Sequence, residues 1–306
     1  LHKSNRSFLI IDDARPNTAS RVAAGIINPV TGRRIVKTWM IDEVMPFAQN
    51  AYEELGLELN VKAIEQKNIV DFFPTPQMRV AFHQRYADDP QYLSIAPEQV
   101  KWKEYFNDDF GSGEINPCWL VNISHVLSSY RSRLREQLRE DIFNIDLLTF
   151  NNEHVRYDHI TAQSIIFCDG SAGAGNPYFR LLPFAPNKGE VLWIECKDLP
   201  VTRIFKSGMS LVPWKDDIFW VGSSYEWEFQ NDLPSESFLE KTIANLQRWL
   251  KIPFKVIDHK ASIRPATIER RPFAGFHPIY KNLGIFNGMG TKGCSLSPFF
   301  ANQFVE

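Results

Sequence analysis

The stretch GMGTKG, Gly288 to Gly293, matches the G-x-G-x-x-G pattern that lets a backbone cradle a dinucleotide. It lies between an apolar run, LGIFN, that reads as a strand and a segment, SLSPFFANQFVE, that reads as the start of a helix. Only 13 residues follow Gly293. A complete βαβ unit takes roughly 30 residues and places its ribose-binding acid about 20 beyond the glycines. The loop is therefore not expected to open a nucleotide-binding fold. Its physics survives that objection, because glycines admit close backbone approach and a helix start adds about half a positive charge. An electron-rich ligand is expected there, against the plainer reading of a tight strand-to-helix turn.

The front of the chain poses the converse problem. Phe8 to Ile11 form a short apolar run that ends on Asp12 and Asp13. Such a run reads as a buried parallel strand, and an acid at its tip is where a doubly wound fold grips a ribose hydroxyl. The matching glycine loop would stand about 20 residues upstream. Six residues precede Ser7, and none is Gly. The expectation is that the sequence begins partway through a longer protein. LHKSNRSF then reads as the tail of a helix and a turn into the strand, and lacks the apolar segment of a signal peptide.

The remaining composition narrows the class. A chain of 306 residues with 44% hydrophobic and 13% aromatic residues can fill one large core or two interleaved ones. The net charge of −2 and pI of about 6.4 lack the basic excess of a nucleic-acid binder. No apolar run approaches the ~18 residues of a membrane span. The four cysteines form no C-x-x-C and the seven histidines no H-E-x-x-H, so neither metal nor disulfides are expected and a reducing, cytoplasmic setting fits.

Along the chain, residues 14–34 read as a loop of small residues and turn formers. Apolar residues from Trp39 to Leu55 recur at helical spacing, with Pro46 as a candidate kink. RVAFHQRY reads as strand-like, and residues 117–140 as one helix with Leu120, Ile123, Leu127, Tyr130, Leu134 and Leu138 on a face. Ser164–Phe167 reads as a strand running into the glycine-rich CDGSAGAG. EVLWIEC, MSLVPW and DIFWVGSSY read as strands, and SESFLEKTIANLQRWL as a helix with a capping box from Ser237 to Glu240. Strand, glycine loop and helix flank strand-rich stretches twice, which points to two interwoven domains.

Three segments together resemble the flavin-dependent D-amino-acid oxidase and glycine oxidase superfamily: LIIDDARPNTASRVAAGIINP, IIFCDG, and ASIRPATIERRPFAGFHP with NLGIFNGMGTKGCSLSP. They span Leu9 to Pro298 in the family's order. The resemblance implies an α/β (α+β mixed) fold, with a Rossmann-like FAD-binding domain interleaved with an antiparallel-sheet substrate domain. The cofactor domain would comprise 1–60, 119–182 and 261–306, without its first βα unit, and the substrate domain 61–118 and 183–260.

Residue by residue, the resemblance places Asp12, with Asp13 beside it, where the family commonly sets a Glu on the adenosine ribose. Ser20, Ala24, Gly25 and Ile26 match the loop near the pyrophosphate and flavin ring. Cys168, Asp169 and Gly170 match a small-residue turn at the cofactor, where Asp169 replaces the usual Ala. Met289, Gly290, Thr291, Lys292 and Gly293 match the loop along the flavin's pyrimidine edge, with Thr291 where glycine oxidases carry Arg. Lys292 either supports charge on the reduced flavin or points to solvent. Arg264 matches the substrate arginine, whose planar fork suits a carboxylate; the alternative is a structural ion pair.

Arg270 and Arg271 read as structural or surface residues, Tyr225 and Trp227 as ordinary sheet packing or, alternatively, as walls of a substrate pocket, and Cys294 as a small buried residue. The implied activity is oxidation of the C–N bond of a small amino acid or secondary amine by hydride transfer to FAD, with dioxygen or another acceptor. Two alternatives stand beside it. One is the oxidase domain of a tRNA wobble-uridine modification enzyme, which the missing basic excess disfavours. The other is a binding module whose fold has lost FAD.

Overall fold

The computed structural model describes Ser4, residues 6–95 and residues 99–305; the helix tail expected at the start falls largely outside the described residues. An eight-stranded mixed sheet dominates. Its strands run in the order Lys255–Arg264, Asn187–Glu195, Ile218–Gly222, Met209–Lys215, Ile204–Ser207, Ile69–Phe72, Ser112–Ile115 and Leu93–Ser94. They come from two separated stretches, 69–115 and 187–264. Ile204–Ser207 pairs with Ile69–Phe72 in parallel, and the other neighbours are antiparallel.

The central strands of this sheet are covered on both faces, so Val191–Ile194 and Phe219–Val221 read as continuous apolar runs rather than alternating ones. Val191, Trp193 and Trp220 face one core. Leu192, Ile194 and Phe219 face another, closed by Leu246 and Trp249 of the helix Glu236–Trp249. That helix is capped by Ser235, whose Oγ accepts from Phe238 N at 3.3 Å, and not by the expected Ser237–Glu240 box. The reason lies beneath it: Glu190 accepts both the Ser235 N–H (2.6 Å) and the Ser235 hydroxyl (2.7 Å), which holds Ser235 as the last residue before the helix.

A smaller sheet carries the parallel pair Ile165–Phe167 and Leu283–Asn287, with Phe273–Phe276 antiparallel on its edge. The opening apolar run forms only the two-residue strand Ile10–Ile11, parallel to Leu138–Arg139, and Leu9 stays 42% exposed instead of buried. Helices Ile41–Leu59 and Gly293–Val305 pack side by side, with Phe47 edge-on to Phe299 at 5.4 Å.

Three expectations are corrected. RVAFHQRY is helical, within Pro76–Asp88: Thr75 caps Met78 N and Pro76 sits in the first turn, a start signal that outweighs the β-branched content. Met78 and Phe82 bury one stripe while Val80 is 64% exposed. Residues 117–140 are not one helix. Trp119–Val121 pairs as a strand with Ile26–Ile27 and Ile64–Gln66, and the helix Ile123–Arg133 begins only after the Asn122 side chain caps His125 N. Residues 14–34 are not wholly loop, because they hold the short helix Ala19–Val22 and the strands Ile26–Ile27 and Val30–Thr31.

Candidate active site

The parallel strands Ile165–Phe167 and Leu283–Asn287 end side by side, and in open parallel sheets ligands collect beyond such carboxyl ends. Asp169 follows the first strand. Asn287 Nδ2 donates to its Oδ1 at 2.8 Å and to Gly170 O at 2.9 Å, and Asn176 Nδ2 donates to its Oδ2 at 3.2 Å. Burial raises the Asp169 pKa, and these amide bonds only partly offset it. The three side chains clamp the two strand ends together. Cys168 is exposed. Beyond it, Gly170 to Gly175 make a 3₁₀ turn, and a Cβ placed on Gly170 or Gly175 would meet nothing within 4 Å.

The second strand runs into the Gly288–Gly293 loop. Gly290 has φ +55° and donates its N–H to Pro265 O at 3.1 Å, which ties the loop to the residue after Arg264. Met289 packs on the core and Thr291 is exposed. Gly293 begins the terminal helix. Lys292 is half-buried, and its Nζ donates to Thr38 Oγ1 at 2.9 Å. Burial, with a smaller push from Arg270, lowers its pKa to about 8. Cys294 is buried, and loss of solvation raises its thiol to about 12, an inert group.

Arg264 ends its strand directly above this loop. One guanidinium nitrogen donates to Asn187 Oδ1 at 2.7 Å. The other donates to Ser223 Oγ at 2.7 Å and to Ser224 O at 3.1 Å. The fork lies across Gly189, where a Cβ would come within 1.9 Å of it. All its partners are neutral, and no carboxylate forms an ion pair with it among the described residues, contrary to the structural-pair alternative. Burial lowers its pKa, as expected for a charge short of solvent and of a counter-ion. Tyr225 and Trp227 do not pack in the sheet. Tyr225 is 53% exposed and its ring lies 4.5 Å from the Arg264 guanidinium carbon. Arg270 and Arg271 are exposed, Arg271 over the Trp39 ring at 4.7 Å.

At the other end, Asp12 Oδ1 accepts from Ala14 N at 2.8 Å and from Arg131 at 2.6 Å, with Arg21 at 3.7 Å. Asp13 pairs with Arg15. A cavity of about 470 Å³, lined by Arg21, Ser128, Arg131 and Glu140 among others, opens beside Asp12. Ser20 is exposed, while Ala24 and Gly25 are buried and Ile26 pairs with Leu120. Gly25, φ +87°, is required by packing: a Cβ would lie 2.0 Å from Val121 O. A larger cavity of about 1020 Å³, lined by Lys188, Glu226, Trp227 and Ser235 among others, includes side chains on the opposite face of the strand from Arg264. Spacing alone could not reveal Asn187, Ser223 and Tyr225 as neighbours of Arg264, since they reach it across strands. The signal available was the polar start of NKGEVLWIE in an otherwise apolar strand.

Parallel strand ends, an open glycine turn and a second glycine loop leading into a helix are features that suit a dinucleotide cofactor. The chain belongs to the DAO family of FAD dependent oxidoreductases, whose model matches residues 1–306. A stretch of 128 residues is 27% identical to glycine oxidase from Pseudomonas putida KT2440, covering 41% of this chain and 35% of that enzyme. Glycine oxidase from Geobacillus kaustophilus shares the fold at a TM-score of 0.82 and 15% identity, over 99% of this chain and 88% of that one. Iminodiacetate oxidase from Chelativorans sp. BNC1 does so at 0.75 and 19%, over 99% and 89%. FAD is the cofactor of this family, and the residues present fit it: the open backbone at Gly170 and Gly175 leaves room that side chains would fill. Among the described residues, no helix is long and apolar enough to cross a membrane.

Proposed function

We propose that this oxidoreductase acts on the C–N bond of a small amino acid or secondary amine, with dioxygen or another acceptor taking the electrons onward. The observation that carries the reading is Arg264, a half-buried guanidinium with neutral partners only, beside the Gly288–Gly293 loop. A half-buried cation without a counter-ion has lost part of its hydration with no charge to offset it. A substrate carboxylate supplies that charge and accepts from the fork in its plane.

Segments 1–60, 119–182 and 261–306 form the cofactor half in this reading, and 61–118 with 183–260 the substrate half. Asp12 uses Oδ1 on Arg131 and Ala14, and its carboxylate would hold the ribose of the cofactor. Asp13 and the Ser20, Ala24–Ile26 stretch border the cofactor, as do Cys168–Gly170 and Met289–Gly293. FAD, when bound, supplies the two-electron acceptor for the C–H bond next to nitrogen. The start of the Gly293–Val305 helix favours negative charge on the side it faces, and protonated Lys292 adds to it. Arg264 orients the substrate, Tyr225 covers it, and water hydrolyses the imine product to a keto acid or aldehyde plus amine.

Oxygen uptake by the FAD-loaded protein tests this reading against a panel of small amino acids, secondary amines and their carboxamides. Turnover of acids over amides is expected; no turnover of any amine overturns the reading.

A further inference from the structure

On the face of Asn187–Glu195 opposite Arg264 sits a charge cluster with no role in the chemistry above. The side chain of Glu190 is fully buried and that of Lys188 is 6% exposed. Lys188 Nζ lies 3.2 Å from Glu190 Oε1 and 3.9 Å from Glu226 Oε2. His259 Nε2 lies 2.9 Å from Glu190 Oε2, and Ser235 donates to the same carboxylate twice. Every strong acceptor and donor at its centre is satisfied.

The cluster is tied to one short segment, Ser223–Glu226. Ser224 N donates to Glu190 O at 3.1 Å, and Glu190 N donates back to Ser224 Oγ at 2.9 Å. Ser224 Oγ donates in turn to Glu226 Oε1 at 3.1 Å. Lys188 and Glu226 exchange both backbone bonds, at 2.9 and 3.0 Å. The other side of this segment belongs to Arg264: Ser223 Oγ and Ser224 O accept from it, and the Tyr225 ring lies over it.

We propose that the Lys188–Glu190–Ser224–Glu226 cluster is a positioning device, which fixes the Ser223–Tyr225 segment and through it the angle of the Arg264 fork. The proposal rests on the reading of Arg264 as the carboxylate ligand. Its consequence is specificity for acids over neutral amines, because a misplacement of about 1 Å in a positioning group can cost ~100-fold. The cluster touches neither substrate nor cofactor and acts through Arg264 alone.

Steady-state kinetics of FAD-loaded Glu190→Gln, Ser224→Ala and Arg264→Ala, normalised to bound flavin, test it with an amino acid and its carboxamide. Glu190→Gln and Ser224→Ala are expected to raise KM for the acid about tenfold, with kcat within about twofold and KM for the amide unmoved. If Glu190→Gln fails to fold, Ser224→Ala, which loses a single hydroxyl, decides the matter. A raised acid KM in Arg264→Ala, with wild-type KM in every folded cluster variant, overturns the positioning role alone. An unchanged acid KM in Arg264→Ala overturns the carboxylate reading and this proposal with it.

Discussion

Glu190 is a buried charge and Arg264 a half-buried one, on neighbouring strands of one sheet and set on opposite faces. Glu190 accepts from Ser235 twice and is flanked by Lys188 and His259, so its charge is balanced where it stands. Arg264 has as many contacts, yet all are to neutral oxygens or an aromatic face. Hydrogen bonding is therefore not what separates them; charge balance is. A balanced buried charge holds structure, whereas an unbalanced one beside a cofactor loop is a place for a ligand. The two sit back to back, so the scaffold on one face can steady the site on the other.

The contrast is broken most forcefully at Glu190. Glu190→Ala leaves Lys188 buried without its main partner and is expected to cost about 3–5 kcal/mol in urea unfolding. The paired change Lys188→Met with Glu190→Leu is expected to recover most of that loss. The same contrast predicts a pH effect. Burial raises the Glu190 pKa, but the Ser235 bonds and Lys188 outweigh it and hold it below the ordinary 4.5. Its contribution is thus complete above pH 4.5 and lost as the pH falls through the lower folded value. Glu190→Gln is expected to flatten that acid limb of stability against pH.

On the other face, Arg264→Lys keeps the charge but loses the planar fork. It is expected to lower kcat/KM for an amino acid about 100-fold while leaving urea stability near wild type. Gly189→Ala approaches the same group from below: the added methyl displaces the guanidinium, and KM for the acid is expected to rise about tenfold in a folded protein. The smallest effect lies at Lys292, whose pKa burial lowers to about 8. Substrate-driven flavin reduction is expected to weaken as the pH rises through that value. Lys292→Met is expected to lose that limb.

Much of this was legible in the sequence where local pattern decides. LGIFN coincides with the strand Leu283–Asn287, and SLSPFFANQFVE with most of the terminal helix. The glycine turns stand at the ends of adjacent parallel strands, whereas Arg264 was singled out by the family resemblance and not by local pattern. What stayed hidden depends on contacts distant in sequence. Asn187, Ser223 and Tyr225 converge on Arg264 only because three strands pair in a particular register. Trp119–Val121 fall within a stretch read as helical, yet they pair with Ile26–Ile27 and Ile64–Gln66, and the ladder overrides the periodicity. The cap at Ser235 moved two residues because a carboxylate from another strand lies under it.

The central claim is that Arg264 receives the carboxylate of an amine substrate next to the cofactor. Anaerobic titration of the FAD-loaded protein and of Arg264→Ala, with one small amino acid and its carboxamide, tests it most directly. The account predicts that the acid bleaches the flavin of the wild type at far lower concentration than the amide does, and that Arg264→Ala erases this preference. Equal bleaching of wild type and Arg264→Ala by the acid would contradict it.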